Sequence, residues 1–77
     1  MIKYWKDVDI LDIKLKEGKY EYSEEIAEGV ILDVDERGEI ISIEILDISK
    51  RLDDFVVEMI TRQYLIEGGK EKAGVQI

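Results

Sequence analysis

The 77-residue chain contains no cysteine and no histidine. Without cysteine there is no disulfide and no thiolate metal site. Without histidine the commonest metal ligand and the commonest general base are both missing, and serine triads built on imidazole are excluded. Aliphatic hydroxyls are few: Ser23, Ser42, Ser49 and Thr61 are all there are, and none has an evident base beside it. Asparagine is absent too, while 39% of the residues are charged and isoleucine outnumbers leucine. That usage is thermophile-like, with charge abundant and thermolabile side chains avoided. No apolar run approaches the roughly 18 residues of a membrane span, and the N-terminus carries no signal-peptide core. These absences fit a cytoplasmic protein that does not enter a membrane.

What is present is acid. Nineteen carboxylates against eleven bases leave a net charge of −8. Nucleic acid and anionic membrane are therefore poor direct partners, and a basic protein is a better one. The length suits one domain. A core this small supplies roughly 3–5 kcal/mol of net stability, so domains of this size usually carry a staple. With no disulfide and no histidine or cysteine metal site, the remaining staple is another chain, and a homo-oligomer, most simply a dimer, is expected.

From Ile2 to Leu46 apolar residues recur at every second position, the period of half-buried strands. Strands are expected at about 2–5, 10–16, 19–26, 30–35 and 39–46. Glu17-Gly18 reads as a two-residue hairpin turn, which sets Ile13 opposite Tyr22 and Lys14 opposite Glu21. A three-residue loop at Ala27-Glu28-Gly29 pairs Ile26 with Val30, Tyr22 with Val34 and Glu24 with Leu32. Asp35-Glu36-Arg37-Gly38 closes the next hairpin and joins Val34 to Ile41, Leu32 to Ile43 and Val30 to Ile45. Residues 47–52 form a connector with a short helical turn. Asp53 then caps the main helix, with Leu52 and Val57 as a hydrophobic staple. Leu52, Phe55, Val56, Met59, Ile60 and then Gln63 or Tyr64 make its apolar stripe. Gly68-Gly69 stops the helix. Residues 1–67 thus form one domain, and 68–77 a flexible tail.

The stretch from Gly29 to Leu46, followed by Ser49-Lys50-Arg51-Leu52, resembles domain of unknown function family 2283. The segments Asp9–Leu15 and Ser23–Ile26 resemble that family's opening hairpins. The resemblance covers about residues 1–52 and leaves the helix after Leu52 undetermined. It departs at Trp5, where the family often has aspartate, and at Asp12, where an aromatic is common. The family has no established activity, so the resemblance implies no catalytic residue and no cofactor.

Candidate chemistry is thin. Asp7 with Asp9, and Asp33 with Asp35, are paired carboxylates, but a hard cation needs several oxygens converging on one point. The first pair falls in a turn and the second on the outer sheet face, directed at water. Gly68-Gly69-Lys70 lacks the spacing and the following hydroxyl of a phosphate loop. Lys50-Arg51 is a solvated pair in a connector, and Ser49 is a turn or cap residue. Glu24 is placed among core-facing positions, so it must reach water beyond the helix, find a partner or shift its pKa. Trp5 falls on the outer parity, suited to an interface or to packing over the first turn. Trp5, Glu24, Met59 and Tyr64 are the candidate contact residues. Glu24 with Asp33 or Asp35 is the alternative, a carboxylate-based metal site or small enzyme.

The expected fold is α+β: a five-stranded antiparallel meander with a C-terminal helix packed on one face. A helix is about 10 Å across, whereas five strands span roughly 20 Å. An uncovered apolar strip follows, and with it a surface for self-association.

Overall fold

The structure, a computed structural model, describes residues 1–66. It is the expected α+β arrangement, one five-stranded antiparallel sheet followed by helix. The strands are β1 (Ile2–Trp5), β2 (Ile10–Lys14), β3 (Tyr20–Ala27), β4 (Val30–Asp35) and β5 (Ile40–Leu46). A short helix α1 (Ile48–Arg51) leads into α2 (Asp54–Tyr64).

The strand order is β1-β2-β5-β4-β3, which is not that of a simple meander. β3, β4 and β5 are joined by consecutive hairpins, and β2 lies beside β5, a Greek-key order. Glu17-Gly18 is therefore not a hairpin turn, and Ile13 faces Ile43 rather than Tyr22. The reason lies in the side chains. Against β5, β2 makes the apolar pairs Ile10–Leu46, Leu11–Ile45 and Ile13–Ile43. Strand β3, carrying Glu21, Glu24 and Glu25, goes to the edge, where all eight of its residues are exposed.

Residues 15–19 cross the ends of the two intervening strands. Three strand spacings are about 14 Å, and six Cα steps from Lys14 to Tyr20 reach about 20 Å when extended. Leu15 and Lys16 donate their N–H groups to the Ile41 carbonyl at 2.8 and 3.3 Å. Lys16 Nζ pairs with Glu39 and lies 3.9 Å from Asp35 Oδ2. Gly18 passes so close that a Cβ there would stand 2.6 Å from Ile41 Cγ2. Close approach, not a turn, is what calls for glycine at this position.

The two other hairpins follow the expected registers over their centres, with two irregularities between β3 and β4 and one between β4 and β5. Tyr22 faces Val34 and Glu24 faces Leu32, but a bulge leaves Ala27, not Ile26, opposite Val30. Val30 faces Ile45 and Leu32 faces Ile43, while Val34 meets Ile40, one residue short of Ile41. Gly38, at φ 82°, donates to the Asp35 carbonyl at 3.0 Å in the β4–β5 turn.

On one face the rows Tyr4–Leu11–Ile45–Val30 and Ile2–Ile13–Ile43–Leu32–Glu24 run across the sheet. Tyr4, Leu11 and Ile48 form the buried centre, and Val57, Ile60 and Tyr64 of α2 pack against it. The helix ends at Tyr64 because Leu65 turns extended and bridges Tyr4, with Ile66 N–H donating to the Tyr4 carbonyl at 2.9 Å. That contact covers part of the β1 edge. The expected glycine stop and the tail lie outside the described residues.

Candidate functional site

Asp9 ends the β1–β2 turn in left-handed backbone, φ 58°, a conformation that aspartate tolerates better than most residues. Its carboxylate is heavily used. Tyr4 Oη donates to Oδ1 at 2.7 Å, Ser49 Oγ donates to Oδ2 at 2.5 Å, and the Ser49 N–H approaches both oxygens at 3.1 and 3.2 Å. The Asp9 carbonyl also accepts the Ile48 N–H at 3.2 Å. The turn thereby caps the first turn of α1, forty residues away, where Asp47 makes no side-chain cap bond.

Burial pushes the Asp9 carboxyl upward. Hydrogen bonds from Ser49 and Tyr4, aided by the Lys50 charge, outweigh burial and hold it below the usual value. Tyr4 is pushed up to about 12 by burial first, then by its bond to Asp9 and that group's charge. A phenol that stays protonated and a carboxylate that stays ionised exchange no proton near neutral pH. The cluster fastens the sheet to the helices.

Beside it opens a groove of about 460 Å³, lined by Tyr4, Asp9 and Ser49 on one side and Asp54, Val57 and Glu58 on the other, with Lys6 and Thr61 completing it. Glu58 is engaged by Arg62 at 2.7 Å. On the outer sheet face, Asp33 joins three strands, accepting Ser23 Oγ at 2.6 Å and Ser42 Oγ at 2.5 Å. Asp35 accepts the N–H groups of Arg37 and Glu39, both at 2.9 Å, and organises its turn. Neither is directed at water as the strand parity suggested: Asp33 is 9% exposed and Asp35 4%. Each accepts hydrogen bonds that offset the cost of burying a carboxylate. Among the described residues no three acids gather as a metal-binding group.

The apolar surface is more distinctive. The side of α2 that packs inward is Val57, Ile60 and Tyr64. Of the expected stripe, Ile60 and Tyr64 pack inward, whereas Leu52, Phe55, Val56 and Met59 are exposed, Phe55 at 71%. At 100° per residue, Phe55, Val56 and Met59 fall about 100–200° away from Val57 around the helix. Helix α2 thus turns one apolar side to the sheet and leaves another in solvent. Tyr22 and Ile26 on β3 are exposed as well.

The four candidate contact residues are scattered. Trp5 is 8% exposed and covered by its own chain. Glu24 is exposed at the edge end of an otherwise apolar row. Met59 lies on the exposed flank of α2, and Tyr64 is half-buried on its packed side. Glu24 points to the face opposite that of Asp33 and Asp35, since Glu24 pairs with Leu32 and Ser23 with Asp33. The sequence placed Asp9 in a turn and made Ser49 a turn or cap residue, but nothing near either in the chain joins the two.

The model of a protein family of unknown function, DUF2283, matches residues 1–49, more than half of the chain. The chain belongs to this family. The DUF2283 match ends at Ser49, so it takes in the whole sheet and both partners of the Asp9–Ser49 contact, and stops before α2. No curated protein and no solved structure matches the chain. Among the described residues no helix is long and apolar enough to cross a membrane.

Proposed function

We propose that this DUF2283 protein is a small interaction module that acts as a homodimer through the apolar flank of α2. One observation supports it above the rest. Among the described residues, six hydrophobic side chains are buried, whereas eleven large ones are exposed. A chain that exposes more large apolar side chains than it buries gains by covering them. Phe55, Val56 and Met59 are neighbours on one helix side, and Leu52 precedes them. The net charge of −8 also suits the second form of this proposal, the acidic member of a complex with a basic protein. A metal site or small enzyme using Glu24 with Asp33 or Asp35 has no observation in its favour, as those side chains lie on opposite faces.

The test is solution mass by light scattering over a dilution series, with wild type and Phe55→Glu. Phe55 is 71% exposed, so the substitution leaves the monomer's core intact. The expected result is twice the 8.9 kDa chain mass for wild type and the single mass for the variant. A wild type at 8.9 kDa throughout sinks the homodimer.

A further inference from the structure

The two edges of the sheet are treated differently. The β1 edge is short, four residues, and partly covered by Leu65 and Ile66. The β3 edge is eight residues long and ends the sheet, with no strand pairing on its outer side among the described residues. Register shifts fall near both of its ends, which leaves Tyr22, Ser23, Glu24 and Glu25 as a regular central stretch. An open edge presents backbone donors and acceptors ready to pair with another strand.

The charge on this edge has one sign. No basic residue occurs between Lys19 and Arg37, and β3 with its turn carries Glu21, Glu24, Glu25 and Glu28. Arg51 comes near, but it bonds to the backbone carbonyl of Glu28, and among the described residues Glu25 accepts only the uncharged Gly29 N–H at 2.9 Å. Two copies of β3 side by side would bring three carboxylates from each into one short ladder, and like charges facing across strands are destabilising. A second copy is thus the wrong occupant for this edge. On the helix-side face, Tyr22 and the row ending Leu32–Glu24 offer apolar contact with a carboxylate among it.

We propose that the outer edge of β3 is a strand-addition site for an extended, basic segment of a partner protein, with lysine or arginine side chains set beside Glu24 on the helix-side face or beside Glu21 and Glu25 on the other. Backbone pairing to the central stretch supplies affinity, and the glutamates select sign and register. It deepens the interaction-module proposal by naming a partner class, and it uses a surface separate from the α2 flank.

The test uses three nine-residue peptides in which valine alternates with lysine, glutamate or serine. Binding to the full chain is followed by amide hydrogen exchange and NMR shifts, residue by residue. The lysine peptide is expected to slow exchange at Tyr22–Glu25 and to bind about tenfold more tightly than the glutamate peptide. Its affinity should fall with added salt. Glu21→Lys with Glu24→Lys, both exposed positions, should reverse the order of the two charged peptides. Phe55→Glu should bind the lysine peptide as wild type does, whatever its oligomeric state. Equal affinity for the three peptides, shifts confined to α2, or loss of binding in Phe55→Glu would each overturn the β3 site. A chain that stays monomeric yet protects β3 on adding the lysine peptide would sink the homodimer and keep the edge site.

Discussion

Replacing Tyr4 by phenylalanine removes one oxygen and one hydrogen bond. The side chain is 2% exposed, and its hydroxyl donates to Asp9 Oδ1 at 2.7 Å. A hydrogen bond to an ionised acceptor contributes roughly 1.5–3 kcal/mol. Asp9 keeps its bonds from Ser49, so the lower half of that range applies, about 2 kcal/mol. In a domain of this size that lowers Tm by roughly 8–16 °C. The pH profile gives a second signature. Tyr4 titrates at about 12 in the folded chain against 10.0 for the free group. The folded state therefore holds this proton where the unfolded chain releases it. The associated stability is fully present below pH 10 and is lost as pH rises through 12, an effect of roughly 2–3 kcal/mol for a shift of this size. Asp9 runs the other way. Its folded value lies below 3.8, so its contribution is present above that pH and lost as pH falls below it. Urea unfolding followed by the fluorescence of Trp5, at fixed protein concentration from pH 3 to 12, reads both limbs. Tyr4→Phe should be less stable at pH 7 and should lose most of the alkaline decline. A variant as stable as wild type at pH 7, with the same alkaline slope, would refute the role given to this bond.

Gly18→Ala should destabilise by about 1–3 kcal/mol through overpacking, because its Cβ meets Ile41 and Asp35, whereas Gly38→Ala meets no atom within 4 Å and bears only the strain of φ 82°. Urea midpoints of the two variants separate crowding from backbone strain. Arg51→Ala removes the bonds to the Leu46 and Glu28 carbonyls; a loss of about 1–2 kcal/mol is expected, with faster amide exchange at Gly29 and Val30 than elsewhere in the sheet. Asp33→Ala strips the acceptor shared by Ser23 and Ser42 and should cost about 2 kcal/mol, with β3 amides losing protection before those of β1.

The candidate site was legible only in parts. Sequence alternation marked Glu24 as a carboxylate among apolar positions, and it does stand at the end of an apolar row. Parity also put Asp33 and Asp35 on the outer face, but parity is silent about burial. Their cover comes from serine hydroxyls and turn N–H groups that reach them once the strands are side by side. The apolar stripe of α2 was visible as a pattern, yet its width hid which part would pack. Contact with Tyr4, Leu11 and Ile48 selects Val57, Ile60 and Tyr64 and leaves Phe55 outside.

By itself the sequence determined whatever depends on near neighbours. Alternation sets strands, and Gly29 and Gly38 supply the positive φ of their turns. The spacing after Leu52 sets a helix. Those features are decided by side-chain geometry over a few residues, so the β3–β4–β5 hairpins and the class of fold could be read directly. The order of strands, the role of Gly18 and the Asp9–Ser49 tie were decided only in three dimensions. Each joins residues far apart in the chain, and their pairing follows from which arrangement buries the most apolar surface while leaving the glutamates of β3 in water.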